Sequence, residues 1–244
     1  MRMPTFDRRA LVRFAELAVV LVLWHYITVW AAAAAAMLHL PLPEMPLIPH
    51  AYILFTLVIL VCLWVYLRGE PLSDFGLKAP QSWWLAIGQG VLIFLASMVF
   101  DIAVRPLIDP WIAHVTGTSA TLAEQHFAAL KGNLGLLLYL IPFAWLFGGF
   151  GEEMLNRGVV MTRIAQLLGE GRWAWIAAMV LQAIPFALGH GYQGPVGMFS
   201  VFVGGVIYGA GALIWGRNLW PAIIAHGLQD TLGFVALYTG IAHG

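Results

Sequence analysis

The sequence predicts an all-α protein, a polytopic transmembrane helical bundle of about seven spans, with six to eight compatible with the pattern. Three observations carry that expectation. Hydrophobic residues fill 61% of the 244 positions and charged residues only 10%, whereas a soluble domain is about one quarter charged. Mean hydropathy is +0.84. Several apolar windows approach or reach the roughly 20 residues that a helix needs to cross a hydrocarbon core.

The expected spans follow in chain order. The first runs from Leu17 to Leu38, behind a basic start made of Arg2, Arg8, Arg9 and Arg13. A basic start before an apolar run resembles a secretory signal, but this run is too long and Ala31 to Ala36 extends it, so a retained helix is expected. The second, Ala51 to Leu67, holds the single cysteine, Cys62, which has no intrachain disulfide partner and packs as a small apolar residue. The turn-rich stretch "GEPLSDFGLKAP" then leads to the third span, Trp83 to Val104. Arg105 to Gly132 mixes charge with apolar residues and reads as an interfacial amphipathic segment or a loop. Four further spans are expected at Leu134 to Gly151, Trp173 to Leu188, Val196 to Trp215 and Leu219 to Tyr238. Tryptophans near span ends, such as Trp83, Trp84, Trp173 and Trp175, fit interfacial anchors.

Net charge is zero, so no basic surface points to nucleic acid, and one integral membrane domain over 1–244 is expected. With seven spans, the basic N-terminus, Arg68 with Lys78, Arg157 with Arg163 and Arg172, and Arg217 fall on one side. Short Lys- and Arg-rich segments stay cytoplasmic, which places the N-terminus inside and the C-terminus outside.

Against this background a few polar residues in the late spans stand out. A carboxylate at the bilayer centre is unfavourable by about 2.5 to 3.5 kcal/mol on the insertion scale, so such residues take partners and mark sites. "GEEMLNRG" sets Glu153 four residues before Arg157, on one helical face, as a structural pair. Glu152 points about 100° away and is free for another task. "FALGH" spaces Phe186 and His190 by four, and "HGLQD" does the same for His226 and Asp230, so that Asp230 can fix the His226 imidazole. Glu152 lies roughly eighteen residues before the middle of the turn "GEGR" and His190 roughly twenty after it, which at about 1.5 Å per residue gives them similar depth. His226 reaches that depth only if the fourth and fifth helices project beyond the membrane by a few turns. Gly205 and Gly209 form a GxxxG face, and Gly148, Gly149 and Gly151 precede the acids, allowing close helix approach.

Taken together, EExxxR (Glu152, Glu153, Arg157), FxxxH (Phe186, His190) and HxxxD (His226, Asp230) resemble the CPBP family of intramembrane proteases, which includes CAAX-prenyl endopeptidases and bacteriocin-processing enzymes. "DFGLKAP" and "LWPAIIAHG" are similar to that family as well, and the resemblance covers roughly Asp74 to Phe234. It implies an intramembrane endopeptidase acting on a peptide or small membrane-protein substrate, expected in a bacterial cytoplasmic membrane. Water would be activated between Glu152 and His190, with His226 and residue 230 at the oxyanion, and with Glu153, Arg157 and Phe186 in support. The prenyl-endopeptidase branch prefers Asn where this chain has Asp230, and a carboxylate cannot donate as an amide does. Asp230 is therefore expected to orient His226 or to ligate a metal. Glu152, His190, His226 and Asp230 could hold a divalent ion such as zinc. No HExxH is present, so metal-dependent and metal-free hydrolysis both stay open.

The competing classes are a proton-coupled transporter, which uses similar buried acids and imidazoles but usually has inverted repeats, and a non-catalytic membrane scaffold. His25, His39, His50, His114, His126 and His243 are read as ordinary solvated or capped histidines, and Asp101 as a partner for Arg105 without further role.

Overall fold

The computed structural model describes residues 8–37, 47–118 and 125–241, with side chains left aside over 27–36 and 47–54. His39, Glu124 and His243 lie outside the described residues, as does the side chain of His50. Among the described residues the chain is helical and contains no strand. We number the helices α1 (Arg8–Met37), α2 (Leu47–Leu67), α3 (Trp83–Thr116), α4 (Leu134–Leu167), α5 (Arg172–Leu188), α6 (Gly194–Ile214) and α7 (Trp220–Thr239). Three helical segments are long and apolar enough to cross a membrane: α3, α4, and the stretch Gly191–Ile214 that includes α6. Part of α2, Phe55–Leu67, and α5 are shorter apolar helices. Large apolar side chains such as Trp84, Leu107, Trp173 and Ile214 are exposed on the outer surface, where lipid replaces water as the solvent. The chain is an integral membrane protein.

Helix lengths sharpen two expectations. The fourth helix extends beyond the apolar window Leu134 to Gly151, in line with the expected projection of the fourth and fifth helices: α4 continues through the three glycines to Leu167, for 34 residues. At about 1.5 Å per residue this approaches 50 Å, against a hydrocarbon core of about 30 Å. The continuation is possible because the helix widens to π geometry over Ala144–Glu152 and again over Met154–Val160, so residues without bulk at 148, 149 and 151 are absorbed rather than breaking it. The start of the segment read as an interfacial amphipathic segment or a loop, Arg105 to Thr116, is helix, joined to the preceding apolar helix by a π segment at Phe100–Val104. Pro106 stands in the first turn of this helix, where its missing N–H costs nothing and the widened turn before it relieves the ring clash, while Pro110 lies inside the helix.

Close packing is what brings the late helices together. A Cβ on Gly149 would meet Ile223 O of α7 at 2.9 Å, and one on Gly227 would meet the Trp145 ring of α4 at 2.6 Å, so both positions require glycine for α4 and α7 to touch. Gly205 and Gly209 of α6 face Ala183 and Met179 of α5 in the same way. The "DFGLKAP" stretch packs against the start of α7. Gly76 adopts φ +89° with Arg217 O and Leu219 close by, and its carbonyl accepts from Leu219 N at 3.0 Å.

The basic loops meet at one end of the bundle. Lys78 Nζ donates to Gly216 O at 2.9 Å, the Arg217 guanidinium lies 4.5 Å from the Trp175 ring, and Arg163 of α4 bonds Glu70 in the turn after α2. At the other end Gly132 N donates to Tyr238 O.

Candidate active site

The EExxxR residues sit in the widened middle of α4. Glu153 is fully buried, and its Oε1 accepts from Arg157 Nη1 at 2.8 Å. The same oxygen is 2.8 Å from His226 Nδ1 on α7. An ionised carboxylate only accepts, so the ring donates from Nδ1 and its Nε2 edge turns the other way. The arginine, also without exposed side-chain surface, stacks on Phe186 at 4.2 Å and lies 5.4 Å from the Tyr208 ring. Arginine suits this position because its guanidinium stacks and pairs at once, which a lysine ammonium does not.

His190 lies just past the end of α5, between Gly189 and a short 3-10 turn at Gly191–Gln193. Its Nδ1 is 2.9 Å from Phe186 O. That carbonyl can only accept, so Nδ1 carries the proton and Nε2 is the free nitrogen of the neutral ring. Phe186 itself stands edge-on to both imidazoles, with centroids 4.9 Å from His190 and 6.2 Å from His226. It separates the two rings while holding the arginine beneath them.

Both free nitrogens face one carboxylate oxygen. Glu152 Oε2 is 3.8 Å from His190 Nε2 and 3.9 Å from His226 Nε2. Asp230 Oδ1 is 3.6 Å from the same His226 nitrogen. The structure therefore brings Glu152, His190, His226 and Asp230 together from α4, the end of α5 and α7, with Glu153, Arg157 and Phe186 packed directly behind them. None of these three separations is a hydrogen bond, and each leaves room for a small bridging group.

Three placements differ from the sequence reading. Glu153 is more than the partner of Arg157, since it also fixes the Nδ1 edge of His226. Asp230 therefore meets His226 on the opposite edge from the one that sets its orientation. Third, the four side chains do not form a metal-ligand set as built. Among the described residues no group of three or more His, Cys, Asp and Glu is arranged to hold a metal ion. The separations of 3.6 to 3.9 Å exceed the roughly 3.3 Å edge of a tetrahedron whose donors lie about 2.0 to 2.1 Å from zinc.

The cluster opens into a cavity of about 700 Å³ whose wall includes Phe143, Phe147, Tyr192 and Phe234 together with Ser200. Sequence reasoning missed several of its residues. Tyr208 stacks over His226 with centroids 5.2 Å apart, and Trp24 and His25 of α1 also line the wall. An aromatic residue in an apolar span carries no polar signal, and α1 lies outside the motif-bearing stretch. Gly148 could have been found: a Cβ there would collide with Asp230 Oδ2, so the first glycine before the acids makes space for the last acid of the motif set.

No solved structure matches the chain. Autophagy-related protein 22-1 of Aspergillus niger (strain ATCC MYA-4892 / CBS 513.88 / FGSC A1513) is 24% identical over 208 residues, 75% of this chain and 32% of that protein. The chain thus spans about a third of the length of this curated relative, and a likeness of that extent assigns no activity. Residues 134–232, which contain all seven motif positions, match the family model described as type II CAAX prenyl endopeptidase Rce1-like.

Proposed function

We propose that the chain is an intramembrane endopeptidase that hydrolyses a peptide bond with a water molecule activated by Glu152. The observation that supports this most strongly is the position of Glu152 Oε2, nearly equidistant at 3.8 and 3.9 Å from two imidazole nitrogens whose rings are each tied to protein at the other nitrogen. One oxygen atom placed about 2.8 Å from Glu152 Oε2 and from His190 Nε2 hydrogen-bonds both. Two acceptors then take the two hydrogens of that water and leave its lone pair pointing into the cavity. Attack on a substrate carbonyl transfers one proton to Glu152 as the carbon–oxygen bond forms. The resulting oxyanion is within reach of His226 Nε2, which donates when its ring carries both protons. Glu152 returns its proton to the amide nitrogen as the carbon–nitrogen bond breaks, so protons balance without a further reactant.

Asp230 serves in this reading as the acid that brackets the outer edge of His226, and Glu153 as the positioning residue that sets its inner edge. The proposed reaction needs no metal, since Glu152 itself takes the proton from water. Exhaustive chelation is expected to leave the cleavage rate unchanged, measured on the purified protein together with elemental analysis.

The end that gathers Arg68, Lys78, Arg163 and Arg217 is proposed to be cytoplasmic, following the positive-inside rule. A bacterial cytoplasmic membrane as the location rests on the family resemblance alone. The active unit is proposed to extend from about residue 74 to 234, since the "DFGLKAP" turn is packed into the start of α7.

The experiment that tests the reading compares membrane proteins from cells holding the wild-type chain with those holding Glu152→Gln, by sequencing newly formed peptide termini. Termini present only with the wild-type chain, and regenerated when purified protein is added to the variant's membranes, are the expected result. Identical termini in both samples would contradict the endopeptidase assignment and favour a scaffold.

A further inference from the structure

The wall of the cavity opposite the EExxxR residues is formed on α3 by Asp101, which sits in the π-helical segment Phe100–Val104. Its Oδ2 accepts from Gln229 Nε2 at 2.7 Å, and its Oδ1 lies 3.6 Å from Arg105 Nη1. The arginine makes its shorter contact elsewhere, from Nε to Asp109 Oδ2 at 2.9 Å. Two carboxylates thus share one guanidinium, and the one left less neutralised faces the cavity.

The remaining hydrogen-bonding capacity of this wall has one character. Gln229 Oε1 is buried and has no hydrogen-bond partner among the described residues. The same is true of His25 Nε2, on another part of the cavity wall. Because His25 Nδ1 donates to Leu21 O at 2.9 Å, its Nε2 keeps a lone pair. Both spare positions are acceptors. Among the described residues the carboxylates lining the cavity are Asp101, Glu152 and Asp230, and no lysine or arginine lines it. Within the bundle charges are less screened than in bulk water, so the Asp101 carboxylate and the spare acceptors on this wall, which lies apart from the catalytic imidazoles, attract a cationic donor and disfavour an anionic group.

We propose that Asp101 and Gln229 form a subsite for a lysine or arginine side chain of the substrate, beside the peptide bond presented to Glu152. An ammonium brings three donors and a guanidinium five, which matches a carboxylate next to an unpartnered amide oxygen. The subsite rests on the endopeptidase reading for its function, but its geometry is separate from the Glu152 cluster. It makes Asp101 a specificity-determining residue and Gln229, which holds the Asp101 carboxylate in place, its support.

The test uses the full chain in lipid nanodiscs with peptides that differ at one position only, carrying Lys, Gln or Glu, and the position is walked across the cleaved bond. At one position the wild-type protein is expected to favour Lys over Gln in kcat/KM by roughly 10- to 100-fold, the size of one charge-assisted hydrogen bond, with Glu worse still. In Asp101→Asn the Lys-to-Gln ratio is expected to fall to near one, and in Gln229→Met to fall part of the way. Equal rates for Lys and Gln peptides at every position in the wild-type protein would overturn the subsite while leaving the endopeptidase reading intact, and this arm does not depend on any variant folding. Binding of the same peptides, fluorescently labelled, to Glu152→Gln provides the other separation. Selective binding of the Lys peptide that Asp101→Asn abolishes, with no cleavage by the wild-type protein, would uphold the subsite and overturn the hydrolase.

Discussion

Helix α4 carries two buried polar clusters, and they are built differently. Around Arg163 the carboxylates are met at hydrogen-bond distance: Glu70 is bound at 2.7 and 3.0 Å, Glu16 lies at 2.9 Å, and Arg68 closes on Glu16 from the other side. Around Glu152 the opposing groups stand 3.6 to 3.9 Å apart, and the Glu152 carboxylate makes no side-chain hydrogen bond among the described residues. The first cluster ties α1, the turn after α2 and α4 together, and its bidentate fork leaves little for a ligand to do. The second holds its rings firmly from behind, through Glu153 and Phe186 O, and leaves their free edges turned toward one another. A closely paired network fixes helices, whereas a network held open at its centre has capacity left for a substrate and a water.

Substitutions at the two clusters should therefore separate activity from stability. The largest effect is expected at Glu152→Gln, which keeps the shape and removes the base: cleavage should fall by about 10²- to 10⁴-fold with the thermal midpoint in detergent unchanged. A midpoint that drops along with activity would mean that the open cluster is structural too. Glu153→Ala should do both kinds of damage, because it leaves Arg157 buried without its carboxylate at a cost of about 3 to 5 kcal/mol and releases His226 Nδ1. Thermal unfolding and cleavage, measured on the same preparation, check this. Gly148→Ala sharpens the comparison from the other direction. Its methyl group displaces Asp230 without removing any polar atom, so kcat/KM should decline roughly 10- to 100-fold with stability largely kept.

The smallest effect is expected at the closely paired cluster. Burial alone would push the Glu70 carboxyl up, but the bonds and charge of Arg163, with Arg68 and Arg13, outweigh it and hold the group below its ordinary value. A carboxyl whose folded pKa is depressed adds stability that is present above its unfolded pKa and is lost as pH falls through the folded one. Glu70→Gln should accordingly cost about 1 kcal/mol at neutral pH, allowing for solvent screening of this half-buried group, and nothing once the wild-type carboxyl is protonated. Unfolding midpoints across an acid titration read this directly, and cleavage at neutral pH should stay near wild type.

Much of this arrangement is legible in the sequence, for identifiable reasons. Apolar windows announce the helical class because nothing else satisfies backbone polar groups in lipid. Four-residue spacings announce Glu153 with Arg157 and His226 with Asp230 because a helix turns back onto itself at that interval. The extension of α4 past Gly151 was legible from the depth that His226 requires, but its π-helical course over Ala144–Glu152 and Met154–Val160 was not, because no residue pattern announces a widened turn. Nor was the bond between Glu153 and His226, which joins residues 73 positions apart in the chain and depends on α7 closing onto α4 at Gly149. Asp101 was legible only as a partner for Arg105; its place on the cavity wall follows from the π turn at Phe100–Val104, which no periodicity reveals.

The measurement that bears most directly on the account is a kinetic double-mutant cycle joining Glu152→Gln with His190→Gln, repeated with His226→Asn, on refolding-competent protein in nanodiscs. If carboxylate and imidazoles act as a unit, Glu152 and His190 on the water and His226 on the oxyanion that its attack creates, each double variant should lose little more activity than its more damaging single variant. Losses that multiply, so that each residue contributes independently of the others, would contradict a shared catalytic water at Glu152.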